Sequence, residues 1–156
     1  MLHSTKTRVE HIWNLKIDNI HKWENAVVSV LNILGWELTW SGEGYKPYDA
    51  YGYTPKGFPC VIEMKFRQKY YENKMLEKKK YDTLMALPKD VVKIYFVADP
   101  QGNYFFWLNK LDLTDHTDAI DCPKNTLWNG KKIKKDVYLI PELRASQITK
   151  YDEDIY

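Results

Sequence analysis

The sequence predicts an α/β sandwich built on a mixed central sheet, and three observations carry that expectation. Residues 21–35 place apolar side chains at helical spacing, residues 60–67 alternate with a two-residue period, and residues 91–98 form a near-continuous apolar run. An amphipathic helix, a strand with one charged face and a strand buried on both faces bury their apolar surfaces together only in layers.

In order along the chain, Trp23, Ala26, Val27, Val30, Leu31 and Leu34 share one helical stripe, and Gly35 is a natural stop. Residues 36–40 read as a short strand and residues 41–44 as a turn. Residues 48–53 and 60–67 read as strands joined by a hairpin-type loop at 54–59. In the second of these, Cys60, Ile62, Met64 and Phe66 face a core while Val61, Glu63, Lys65 and Arg67 face the other way, a side that carries charge. Residues 72–87 are expected to form a helix, polar at first and apolar later through Tyr81, Leu84, Met85 and Leu87, ended by Pro88. After the interior strand at 91–98, the Asp99-Pro100-Gln101-Gly102 turn leads into a strand at 103–108, giving a hairpin. A last hairpin is expected around Asn129-Gly130, between residues 126–128 and 133–140. Residues 1–20 fit a helix through Val9, Ile12, Trp13 and Ile20 as well as an extended arm, and the acidic tail at 152–154 is expected to fray. The whole reads as a single domain over 1–156, with a core at about 20–108, an N-terminal arm at 1–19 and a β-hairpin extension at 109–156.

Composition narrows the classes. The chain has 156 residues, enough to bury a real core, with 44% apolar and 28% charged residues and no run of transmembrane length. The N-terminus lacks the apolar run of a secretory signal, so a cytoplasmic protein with no membrane partner is expected. Its size and composition suit a phage or mobile element. Cys60 and Cys122 form no CxxC spacing and read as free thiols, and His3, His11, His21 and His116 show no metal-ligand spacing. Net charge is only +2, but seven cations against Glu72 and Glu77 lie between Lys65 and Lys80, and Lys131, Lys132, Lys134 and Lys135 form a second cluster. Each cluster alone is more often a solvated face. The cations are nearly all lysine, which serves phosphates as a point charge and reads bases poorly.

The informative segment is Pro47-Tyr48-Asp49, thirteen residues, then Glu63-Met64-Lys65. Centring the hairpin near Lys56 sets Asp49 opposite Glu63, on one face, with Cβ atoms roughly 5 Å apart. Lys65, two residues on, emerges on that face too, and a slip of one residue in register would break the arrangement. Two carboxylates so close repel. Lys65 offsets part of that, and a hard divalent cation such as magnesium, which takes one or two carboxylates plus waters and phosphate, offsets it better.

These residues resemble the PD-(D/E)xK signature of restriction enzymes, Holliday junction resolvases and related phage and repair nucleases. The family's proline directly precedes the aspartate; here Tyr48 intervenes. The resemblance covers about residues 20–98 and implies a restriction-endonuclease-like core, α-β-β-β-α-β, with flanking helices and a β-rich C-terminal extension. It implies hydrolysis of DNA phosphodiester bonds with Mg2+ or Mn2+ held by Asp49, Glu63 and the backbone carbonyl of Met64. Lys65 would position the attacking water and Glu24, on the first helix, would assist. Arg67, Lys69, Lys74, Lys78 and Tyr81 are the implied nucleic-acid contacts, and a homodimer would supply two centres for two strands. Blander readings stand beside these. Acids favour helix N-termini for dipole reasons, which would explain Glu24, and Tyr81 has the spacing of a core residue. The chain as a whole also fits a non-catalytic module using lysines on phosphates, or a protein-interaction domain.

Overall fold

Among the described residues, apolar runs and alternation settle into two sheets and two α-helices. The structure, a computed structural model, describes residues 17–42, 44–113, 118–123 and 132–151, leaving aside the side chains of 17, 18, 118–123 and 132. Helix α1 (Ile17–Ile33) precedes β1 (Glu37–Trp40), β2 (Ala50–Tyr53), β3 (Pro59–Phe66) and β4 (Asn73–Glu77). Helix α2 (Lys78–Met85), β5 (Val92–Asp99), β6 (Gly102–Trp107), β7 (Asp118–Pro123), β8 (Lys132–Pro141) and β9 (Gln147–Lys150) follow. The main sheet runs β1-β2-β3-β5-β6-β9 and the smaller one β4-β8-β7. Among the described strands only β3 and β5 pair in parallel, from Cys60 opposite Val92 to Phe66 opposite Ala98; the other neighbours are antiparallel. The architecture is thus the expected mixed α/β one. No helix among the described residues is long and apolar enough to cross a membrane.

Two cores follow from strand alternation. Cys60, Ile62 and Met64 of β3 pack with Ile94 and Phe96 of β5 and with Val28 and Leu31 of α1. On the other face, Val61, Tyr95, Val97, Tyr104 and Phe106 pack with Leu76, Leu84, Tyr138 and Ile140 from β4, α2 and β8. All eight residues of β5 are buried, because α1 covers one of its faces and the smaller sheet the other.

Three expectations need correction. Residues 72–87 are not one helix: the chain forms β4 first, paired with β8 from Asn73 opposite Pro141 to Glu77 opposite Val137, and only then α2. Lysine, methionine, leucine and glutamate all suit a helix, but pairing with a partner strand far along the chain outweighs that weak preference. The alternation was there, with Lys74 and Leu76 buried, but a buried lysine disguised it. The helical stripe is also rotated. Ile20, Glu24, Val28 and Leu31 are the buried positions of α1, whereas Val30 and Leu34 are 56% and 67% exposed. Together with Trp23, Ala26 and Val27, the latter two line an open apolar groove of about 450 Å³ against Phe66, Phe96 and Phe105. Finally, the strand expected to pair with residues 126–128 is β8, and its two neighbours are β4 and β7, while β9 extends the main sheet beside β6. Residues 126–128, the Asn129-Gly130 turn, the arm at 1–16 and the tail at 152–154 lie outside the described residues.

A buried polar seam joins the two sheets. The Lys74 ammonium, 3% exposed, donates to Asp99 Oδ2 at 2.8 Å and to the Tyr71 carbonyl, over the Tyr104 ring. Asp99 spends its other oxygen on the N–H groups of Gln101 and Gly102, which closes the β5–β6 turn. Removing Asp99 leaves the buried Lys74 ammonium only the more distant Glu142 carboxylate, at 3.6 Å, so Asp99→Ala should cost about 3 kcal/mol in urea unfolding, whereas Lys78→Ala, which breaks an exposed pair with Asp82, should cost under about 1 kcal/mol.

Candidate functional site

The β2–β3 hairpin has the register that the turn centre implied, Ala50 opposite Ile62 through Tyr53 opposite Pro59. Tyr51 and Val61 face the same core, so Asp49 and Glu63, two residues further along each strand, emerge on that side as well. The pairing loosens at Asp49. Its N–H donates to the Ile62 carbonyl at 2.9 Å, and its Oδ2 accepts the Met64 N–H at 2.7 Å, so the side chain folds across the end of β3.

Glu63 is 4% exposed near the middle of the sheet, with Tyr95 of β5 beside it. Its Oε1 accepts Lys80 Nζ at 2.5 Å. Glu24 lies about two turns into α1, not at its start, so the helix-dipole reading of this acid falls away. It is 6% exposed and accepts the indole N–H of Trp40, the last residue of β1, at 3.0 Å. Next to Trp40, Ser41 gives its N–H to the Asp49 carbonyl, and its buried hydroxyl has no partner among the described residues.

The electrostatics tie these groups together. Burial pushes the Asp49 carboxyl up to about 6, with the Glu24 charge adding to it and the Met64 N–H and nearby lysines opposing. Burial pushes Glu63 further, to about 7, and the Asp49 charge adds to it against the pull of Lys80 and Lys65. Glu24 is also raised, chiefly by burial, with Glu63 contributing. Lys65 is lowered to about 8 by burial and by the charges of Lys80 and Arg67, against Glu63 and Glu77. Burial alone would lower Lys80, but the Glu63 charge and hydrogen bond raise it. Three acids thus share one low-dielectric region with two lysines.

The donor chemistry suits a hard divalent cation: carboxylate oxygens, mutually repelling, with no sulfur or imidazole among them. The side chains are not gathered around one point, however. Among the described residues no three or more His, Cys, Asp or Glu groups lie as a metal ion would require. The reason is visible in the hydrogen bonds, since each acid turns one oxygen to an internal donor: Trp40, the Met64 N–H or Lys80.

The remaining anticipated residues divide. Arg67 follows β3 and reaches the Met75 carbonyl at 3.4 Å, and Lys69 is exposed on the connection to β4. Lys78 opens α2, paired with Asp82. Lys74 is corrected from a cleft-facing helical residue to a strand residue committed to Asp99, and Tyr81 meets Tyr138 edge to face against the second core, ring centroids 4.9 Å apart. Lys80 and Trp40 were missed. A signal for Lys80 existed: four residues before the fully buried Leu84, it shares that residue's inward face. Trp40 offered none beyond its position at a strand end.

No family model matches the chain, and no curated protein does. Among solved structures it is similar to that of Hjc, a Holliday junction resolvase from the archaeal hyperthermophile Archaeoglobus fulgidus. Identity is 18%, coverage is 60% of this chain and 80% of that one, and the TM-score is 0.48.

The raised carboxyl of Asp49 fixes a sign. The folded protein holds that proton more tightly than the unfolded chain, so the site's contribution to stability is intact below about pH 4 and is lost as pH climbs to about 6. Asp49→Asn, which keeps an acceptor for the Met64 N–H, should therefore melt with wild type at pH 4 and about 2–4 °C above it at pH 8 in chelator. Parallel thermal melts from pH 4 to 8 measure this; a variant less stable at pH 8 would contradict the raised value.

Proposed function

We propose that this chain is a divalent-metal-dependent nuclease that hydrolyses DNA phosphodiester bonds, acting as a structure-directed endonuclease. The observation that supports it best is the meeting of Glu24, Asp49 and Glu63 in one buried region with Lys65, whose ammonium is held down to about 8. Asp49 and Glu63, with the Met64 carbonyl, are the groups to hold magnesium or manganese, with Glu24 assisting. A bound ion there would polarise the phosphodiester and acidify water. Lys65, near neutrality in its proton affinity, orients the attacking water and accepts its proton, and as an ammonium it then offsets charge developing on the phosphorus oxygens. Arg67, Lys69 and Lys78 remain the proposed phosphate contacts; Lys74 and Tyr81 are dropped, being occupied in the interior.

Preference for DNA structure over sequence follows from the cation set, which is almost entirely lysine and suits backbone contact. Cutting both strands of a branched substrate needs two centres, which a homodimer would supply. The rival of a non-catalytic phosphate-binding module loses ground because Lys74 and Lys80 each already carry a buried acidic partner.

Supercoiled plasmid, single-stranded DNA and a four-way junction, each with magnesium, manganese or chelator, test the reading. Cutting is expected with either metal, foremost on the junction, and not with chelator. Glu63→Gln and Lys65→Ala should each lower cleavage by at least about 100-fold while DNA retardation persists. Equal behaviour of wild type and Glu63→Gln on every substrate would overturn the assignment. Cleavage should also weaken as pH falls through 7 towards 6, where Glu63 and then Asp49 take up protons that compete with the cation.

A further inference from the structure

The metal-free acids are held by a device of the chain's own. Lys80 stands on the first turn of α2, just after β4, and its Nζ lies on Glu63 Oε1 at 2.5 Å. Its charge also acts on Asp49 and Glu24, so one ammonium faces the whole acid cluster. Among the described residues no other cation makes a salt bridge to Glu24, Asp49 or Glu63. Lys65 reaches them only through space, and Glu77 on β4, bonded to Lys135, faces the same lysines from the other side.

We propose that Lys80 is a positioning residue that holds the cation's place on Glu63 and competes with the incoming ion for that carboxylate. The inference rests on the metal-dependent reading above. An ammonium and a divalent ion cannot both take the Glu63 oxygen at bonding distance, because two cations on one buried carboxylate oxygen would repel strongly. Loading therefore requires the Lys80–Glu63 pair to open. In the unloaded protein the pair offsets carboxylate repulsion that would otherwise weaken the fold. Once released, the ammonium stays tethered to α2 at the rim of the cluster, still under the charge of Glu77, where the oxygens of a bound phosphate would offer it charged acceptors. Lys80 thus links ion loading to substrate capture: it lowers affinity for the ion and raises affinity for DNA in the loaded state.

The test compares full-length wild type, Lys80→Met, Lys80→Arg and Glu63→Gln by calorimetric titration with calcium at pH 8.5, above the values of Asp49 and Glu63. Thermal melts with and without the ion accompany each titration. Lys80→Met keeps much of the side chain's length and removes its charge. It should bind calcium at least about tenfold more tightly than wild type, melt lower in chelator and gain more from the ion. Lys80→Arg, which keeps the charge, should bind no more tightly than wild type. A lysine of purely structural use predicts the opposite pairing, in which lower stability comes with unchanged or weaker ion binding, and that result overturns the proposal. Wild type and Lys80→Met binding alike, with Glu63→Gln abolishing both, overturns it too while leaving the metal site standing. Calcium binding that Glu63→Gln does not affect, or none by any variant, sinks the metal site and this inference together.

Discussion

Everything in this chain is arranged around the parallel ladder between β3 and β5, seven residue pairs at the centre of the main sheet. Parallel neighbours cannot be joined by a tight turn; the chain must leave the sheet, cross over one face and return. Here the crossover contains β4 and α2, and it covers the face on which Val61, Glu63 and Lys65 project. That single requirement puts an acid under protein instead of water. It also brings a helix carrying Lys80 over that acid. Burial, the raised carboxyls and the lysine that restrains them are consequences of one topological demand.

Most of the fold was legible because its signals were local. A near-continuous apolar run at 91–98, broken only by Lys93, reads as an interior strand, and the Asp99 turn marks its hairpin chemically. The acid pair was legible because hairpin register is arithmetic: a turn centred near Lys56 fixes which residues meet. What could not be read depended on distant partners. Residues 73–77 have helix-like composition and became a strand because β8 offered an edge. Lys74 looked like a surface cation until Asp99 claimed it. In α1, apolar spacing located the helix but not its rotation, because the sheet buries Glu24 and Val28 and leaves Val30 and Leu34 to the groove. The phase was set by what the acid had to reach.

The cluster itself is a balance of opposing terms. Desolvation disfavours each carboxylate, and neighbouring carboxylates disfavour one another, yet the fold retains all three acids. Donors scattered over three elements make that tolerable: Trp40 at the end of β1, the Met64 N–H of β3, and Lys80 of α2. None of these donors is sequence-adjacent to the acid it serves, which explains why a motif finds the acids and misses the groups that stabilise them.

Glu77 ends β4 and Lys78 begins α2, so no linker separates strand from helix. Tyr81 on Tyr138 and Leu84 against Leu76 and Ile140 fasten that helix to the smaller sheet. The three-stranded sheet and its helix therefore form one packed unit that carries the Lys80 amine to the carboxylates. Because Leu76, Tyr138 and Ile140 share a core with Val61, Tyr95 and Tyr104, and Lys74 is bound to Asp99, any change in distance between that amine and the carboxylates must be absorbed by the Lys80 side chain or by repacking between the two sheets.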